Sequence, residues 1–230
     1  MLRKTFDESL QGLQDEVLVL ASLVQEMITE SAQALADRNV ALAERLIAQD
    51  TQINRKRFQI EAGLLTLIAT QGPIARDLRH VAALLEIITE LERIGDYGKG
   101  IAKIVLMLGE PEFEAPMPTL QTMALRATEM MRLALDSFIQ QDVPAAREIA
   151  ARDDEVDALY NRAYEELLNL IIEDPNRIEQ ANQYLWAAHN LERVADRVTN
   201  ICERTIFTVT GEMRELDTLE EESGVAGIRG

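Results

Sequence analysis

The chain has little of what stabilises small secreted folds or membrane spans. Among 230 residues there is one cysteine, Cys202, so no intrachain disulfide framework can form and a reducing cytoplasm is the expected setting. One cysteine and 2 histidines are too few ligands for a structural zinc site of the usual kind. Aromatic residues make up only 4% of the chain, with 6 prolines and 11 glycines. An all-β sandwich needs aromatic and β-branched strands closed by many Gly/Pro turns, so that class is disfavoured. Bases are scarce as well: 23 Lys and Arg stand against 40 Asp and Glu, a net charge of −17. Such a chain is repelled by nucleic-acid phosphates and anionic lipid heads. Direct nucleic-acid binding is not expected, and cations or basic partner faces are the complementary ligands; solubility alone is the blander reading of the charge. Long apolar runs are absent too. The longest, Val17 to Val24, is far short of a membrane span. Arg3 and Lys4 are followed at once by Asp7 and Glu8 where a signal peptide would need an apolar run. A soluble cytoplasmic protein with no membrane insertion is the expectation.

Helical periodicity is abundant. Leu10, Leu13, Val17, Leu20, Val24, Met27, Ser31 and Ala34 recur at heptad spacing, which predicts a long amphipathic helix over 5–36. Asp37-Arg38-Asn39 breaks it, and Asn39 can cap a second helix running to about Thr70. After the turn at Gln71-Gly72-Pro73 a third helix continues to about Leu108, and a linker over 110–118 carries three of the prolines. The second half repeats the plan. One helix runs from about Thr119 to Gln140; a second is capped by Asp142 with Pro144 in its first turn and runs to Asp174-Pro175. A third ends near Gly211, and the acidic tail 212–230 is expected to be poorly ordered. The fold class is therefore all-α, with six long helices in two tandem three-helix bundles, 1–109 and 119–211.

The halves also match in sequence. Leu91-Glu92-Arg93-Ile94-Gly95-Asp96 recurs as Leu191-Glu192-Arg193-Val194-Ala195-Asp196 at an offset of 100. Upstream, Leu46, Asp50, Ile53 and Ile60 match Ile149, Asp153, Val156 and Ala163 at an offset of 103. An internal duplication decides the architecture before any motif is weighed.

Acid pairs four residues apart carry no signal by themselves in so acidic a chain; their position does. Glu92 continues the stripe Leu78, Val81, Leu85, Ile88, with Asp96 one turn on, and Glu192 with Asp196 continues Ile178, Ala181, Leu185, Ala188. Asp50 interrupts Leu46 and Ile53, and Asp153 interrupts Ile149 and Val156. In an antiparallel helix pair, residues equally far from the turn lie level. Asp50 should then face Glu92 and Asp96, and Asp153 should face Glu192 and Asp196. Clustered carboxylates at the edge of an apolar interior repel, and a divalent cation is the simplest counter-ion. Asn200 and Glu203 extend the row in the last helix. All-oxygen ligation favours Mg, Mn or Fe. Salt bridges from Arg57, Arg93 and Arg193 are the alternative, and both readings stay open at this point. His189 reads as a core-edge histidine within reach of the second cluster. Cys202 reads as a packed small hydrophobe, the methionines as core filler, and Gly95, Gly98 and Gly100 as a place of close approach, a kink or a weak helix. A ferritin-like di-iron enzyme would need Glu-x-x-His on two helices, which neither half has.

The tandem bundles, with ELERIGD in one half, NLERVADRVTNICE in the other, and Pro73-Ile74-Ala75-Arg76-Asp77-Leu78-Arg79 before the first motif, resemble the PhoU family of phosphate-transport accessory proteins. The resemblance covers about residues 5–210. It implies a dimeric, non-enzymatic cytoplasmic negative regulator of the phosphate-starvation response. Its implied partners are the phosphate ABC transporter ATPase and a sensor histidine kinase. It also implies metal binding through the family's E/D-xxx-D motifs, here Glu92, Asp96, Glu192 and Asp196, with Asn200 and Glu203 in the extended form. Gly100 and Lys103 stand at those last two positions in the first half, so tighter binding is expected at the second site. A metal-free helical scaffold is the competing expectation.

Overall fold

A computed structural model of the chain describes residues 2–108, 115–213 and 216. Seven α-helices and a single 3-10 turn are present among them: α1 (Leu2–Asp37), α2 (Val40–Gln71), α3 (Ala75–Met107), α4 (Met117–Gln140), α5 (Val143–Ala150), α6 (Asp153–Glu173), the turn Pro175–Arg177, and α7 (Ile178–Thr210). Six of these helices are long, as expected. The expected linker falls outside the described residues through Glu114, and the tail does so apart from Glu212, Met213 and Leu216.

Local chemistry accounts for most boundaries. Asn39 accepts the Leu42 N–H at 3.0 Å to start α2, and Asp142 accepts the Ala145 N–H at 3.0 Å to start α5, with Pro144 in its first turn. Gly72 and Gly211 end α2 and α7 at positive φ. One expectation needs correction. The helix capped by Asp142 is not continuous, because it breaks at Ala151-Arg152 and restarts as α6. Asp153, Asp154 and Glu155 fill the first turn of α6, where the unpaired N–H groups favour carboxylates.

Each repeat packs as a three-helix bundle, α1–α2–α3 and α4–α5/α6–α7, joined by α3 against α7 and α1 against α4. The heptad seam of α1 is the core: Val17, Leu20, Val24, Met27, Ser31 and Ala34 are all buried. The stripe leading to each acid motif is shallower than its periodicity suggests. Val81, Ile88, Ala181 and Ala188 are buried, whereas Leu78 and Ile178 are exposed at the helix starts.

Side chains fix α3 and α7 in one antiparallel register. Glu86 meets Arg204, Glu90 meets Arg197 and Asn200, Tyr97 lies under Arg193, and Met107 accepts from Gln183. An offset of 100 converts the α3 motif into the α7 motif, so this register is centred on Gly95 and Ala195. A two-fold that exchanges neighbouring antiparallel helices runs normal to their common plane. The duplicated motifs therefore lie on one face of the molecule, side by side.

Gly98 permits the approach of α1 to α3. A Cβ there would lie 2.6 Å from Met27 Cγ and 3.1 Å from Ile28 Cδ1. We expect Gly98→Val to destabilise the fold by about 1–3 kcal/mol through overpacking. Gly12→Ala, in α1 with open space around it, should stabilise by about 0.5–1 kcal/mol through helix propensity. Urea denaturation checks both. A second expectation concerns His80 of α3, buried against α1 and α4, hydrogen-bonded through Nε2 to Gln14 at 2.8 Å and stacked on Phe138. Burial, aided by Arg76 and opposed by Asp77, lowers its pKa below the ordinary 6.5. The unfolded chain then binds a proton more readily, so stability is lost as the pH falls below 6.5. The loss is at most about 1.4 kcal/mol per pH unit until His80 itself protonates. The difference between wild type and His80→Gln, followed from pH 7.5 to 5, isolates it.

Two carboxylate clusters as candidate metal centres

In the first repeat, Asp50 of α2 occupies a core-facing position between the fully buried Leu46 and Ile53 and is itself only 5% exposed. Glu92 and Asp96 stand one turn apart on α3, and both feel the Asp50 charge, as the level-pairing of α2 and α3 requires. Burial is the main reason the Glu92 carboxyl is held above its usual range, with Asp96 and then Asp50 adding repulsion. Asp96 is raised by burial and by Asp50. Asp50 is not bare: Oδ2 accepts from Lys99 Nζ at 2.5 Å and from Asn54 Nδ2 at 3.0 Å, and Lys99 also lies 3.9 Å from Asp96 Oδ1. The Lys99 ammonium is held protonated, above its usual pKa, by that hydrogen bond and by the surrounding acids.

In the second repeat, Glu192 and Asp196 occupy the corresponding turns of α7. Burial raises the Glu192 carboxyl, and repulsion from Asp196 and Asp157 adds to it. Its Oε2 atom is buried, makes no hydrogen bond, and has His189 Nδ1 at 3.3 Å. Burial and the Glu192 charge hold the nearby Tyr160 hydroxyl protonated above its usual value. His189 sits at the rim, its ring centroid 6.2 Å from Tyr160 and 6.5 Å from Trp186. Asp153 starts α6, and the α6 acid whose charge Glu192 feels is Asp157, one turn further along. Asn200 donates to Glu90 across the α3–α7 seam at 3.2 Å. Glu203 Oε1 accepts the Leu216 N–H at 2.9 Å, with Arg204 3.5 Å from its Oε2.

The three arginines of the salt-bridge alternative make their direct contacts elsewhere, although the charges of Arg57 and Arg93 still pull the Glu92 pKa down, and that of Arg193 pulls the Glu192 pKa down, against the larger effect of burial. Arg93 pairs with Glu90 at 3.0 Å, Arg57 pairs with Glu61 at 3.6 Å and lies over Phe58, and Arg193 lies over the Tyr97 ring. Glu90 shows what a satisfied structural acid looks like in this fold. Its side chain is 12% exposed and draws on Arg93, Arg197 and Asn200. Among the described residues no group of three His, Cys, Asp or Glu is closed up around a metal-sized centre. Crowded oxygen donors with raised pKa, and a buried Glu192 oxygen making no hydrogen bond, nonetheless fit a hard cation in their chemistry.

Four contributors were missed in the sequence: Lys99, Asn54, Asp157 and Tyr160. The repeat contains a signal for two of them, since the offset of 103 places Asn54 on Asp157. Lys99 lies one turn after Asp96 but matches Thr199, so the repeat hides it.

Fold and site together define a class of protein: a duplicated three-helix bundle with one carboxylate cluster per repeat on a common face. The PhoU domain model matches residues 17–105 and again 120–205. A Clostridium acetobutylicum protein described as a phosphate-specific transport system accessory protein PhoU homolog is 35% identical over 218 residues, 94% of this chain and 100% of the relative. The crystal structure of the phosphate transport system regulatory protein PhoU from Streptococcus pneumoniae superposes with a TM-score of 0.85 at 33% identity, over 91% of this chain and 99% of that one. PhoU from Pseudomonas aeruginosa gives 0.83 at 31% identity, over 90% and 100%. The chain belongs to the PhoU family.

In metal-free buffer, Glu192→Gln should raise stability by about 0.2–0.5 kcal/mol, because the like-charge repulsion from Asp196 that it removes outweighs the lost His189 contact. Arg197→Ala should lower it by about 1–3 kcal/mol, because it takes a partner from the largely enclosed Glu90 carboxylate. Thermal unfolding in EDTA reads both, and opposite signs are expected.

Proposed function

We propose that this protein is a non-catalytic regulator of phosphate transport that acts by contact with other proteins and carries metal ions in its carboxylate clusters. Support comes from family membership along nearly the whole chain, with relatives named as accessory or regulatory proteins of phosphate transport. In this reading it is a homodimer in the cytoplasm. It restrains phosphate uptake and keeps the phosphate-starvation response off by engaging the transporter's ATPase and a sensor histidine kinase. No helix among the described residues is long and apolar enough to cross a membrane, in keeping with a partner that docks on membrane components. The net charge of −17 suits basic partner faces.

The buried Glu192 Oε2, which makes no hydrogen bond and has only the His189 Nδ1 contact at 3.3 Å against the charges of Asp196 and Asp157, is the observation that best supports the metal reading. Asp50, Glu92 and Asp96 would supply oxygen donors in the first repeat; Asp153, Glu192 and Asp196 would do so in the second. Asn200 and Glu203 would join by giving up Glu90 and Leu216. A bound Mg, Mn or Fe ion would neutralise the crowded carboxylates and tie α2 to α3, or α6 to α7. The acids of this chain orient those donors on one face, where occupancy can alter the surface a partner meets.

Deleting the gene is expected to leave starvation genes active in phosphate-rich medium, restored by the wild-type gene. Normal repression in the deletion would defeat the regulatory reading. Elemental analysis of purified protein should find Mg, Mn or Fe, with loss on replacing Glu192 and Asp196 together by alanine.

A further inference from the structure

The two clusters are built from the same repeat, yet one contains its own cation. Lys99 Nζ lies 2.5 Å from Asp50 Oδ2 and 3.9 Å from Asp96 Oδ1, with its side chain only 26% exposed. Asp50, its principal partner, is 7% exposed at the side chain, so the ammonium sits against the most buried acid of the site. The repeat-equivalent residue is Thr199, whose hydroxyl donates at 2.7 Å to the Asp196 backbone carbonyl of its own helix. Lys103, a second positive charge acting on Asp96, stands where the second repeat has Glu203. Asn54 donates to Asp50 where the second repeat has the acidic Asp157. At three equivalent positions, the first cluster is thus the more positive or less negative one. The one opposing position is His189, 3.3 Å from Glu192 where the first repeat has Thr89; the local charge still differs by several units between sites of one architecture, and a cation senses that difference directly.

We propose that Lys99 is the resident counter-ion of the first cluster, occupying with its ammonium the place a metal ion would take, so that the second cluster alone calls for an external cation. The metal half of this statement rests on the cation reading above; the Lys99 half does not. It gives the duplicated fold two unequal sites. In one, the tie between α2 and α3 is an ion pair whose cation belongs to the chain and is always present. In the other, the tie between α6 and α7 depends on the metal available. A duplicated regulator then responds to cations through one repeat only, while the other serves as a fixed scaffold.

The test uses the full chain, stripped with a chelator and titrated with Mn²⁺ alone, counting bound ions by the EPR signal of free Mn²⁺. Wild type is expected to bind Mn²⁺ tightly at the second cluster only, and the double variant Glu192→Gln/Asp196→Asn should lose that binding. Adding Lys99→Thr to the double variant should restore uptake, at the first cluster, with affinity at least about tenfold above the double variant. Where wild type does bind Mn²⁺, unchanged uptake on adding Lys99→Thr, or a double variant that still binds as tightly as wild type, would overturn the proposal. A metal-free readout separates its failure from that of the metal reading. In EDTA, Lys99→Thr should lower the Tm by several degrees, since Asp50 is left buried beside two other acids, and Lys99→Arg should recover part of the loss. A Tm in EDTA unmoved by Lys99→Thr overturns the counter-ion assignment whatever the metal content. If wild type binds no Mn²⁺ while that Tm falls, the counter-ion assignment is upheld and the metal reading fails.

Discussion

The packing of α3 against α7 is the constraint on which the rest of the molecule depends. Each helix is the third of its bundle and contributes to its own repeat's core. Their mutual register is set by charged and polar pairs along the seam, from Glu86 with Arg204 to Met107 with Gln183. Glu90 anchors this seam with three partners on two helices. Buried ion pairs are weak sources of net stability, because desolvation offsets attraction, but they discriminate sharply between registers. A helical slip by one turn would part the half-buried Glu90 from Arg197 and Asn200 of α7, leaving it only Arg93 of its own helix. That register in turn sets both acid motifs side by side on one face.

Each cluster is a compromise between folding and binding. Carboxylates placed at the margin of a core lose hydration and repel one another, which is why Glu92, Asp96 and Glu192 hold their protons more tightly than usual. Marginal burial is essential here. Deep burial would leave these groups neutral and unable to attract a cation, and full exposure would leave them hydrated and indifferent. The stripes leading to the motifs begin at exposed residues, Leu78 and Ile178, and deepen toward the fully buried Ile88 and Ala188. The acids therefore sit where the apolar interior meets solvent.

Much of this was legible in the sequence, for reasons that can be named. Heptad spacing exposed α1, side-chain caps at Asn39 and Asp142 marked two helix starts, and the repeated LER motif revealed the duplication. The level-pairing of α2 with α3 located Asp50 correctly because an uninterrupted hairpin keeps its register. In the second repeat Asp153 begins α6, and Glu192 feels the charge of Asp157, one turn further along that helix. The break at Ala151-Arg152 carries neither proline nor glycine. Its only signal was the acidic run Asp153-Asp154-Glu155, which in so acidic a chain passes for solvated surface. Glu90 and Lys99 were illegible for a different reason. Both act across helix interfaces, and no spacing along one helix reports which neighbour a long side chain will reach. Gly98 falls between: its place in the helix was plain, but its need became visible only with Met27 against it.

The most direct measurement of the central claim, that a duplicated fold presents two like clusters of unequal cation demand on one face, is an anomalous difference map from crystals grown with Mn²⁺. The account predicts one strong peak beside Glu192 and Asp196, with Lys99 still seated on Asp50. Equal peaks at both clusters with Lys99 displaced, or no peak at either, would contradict it.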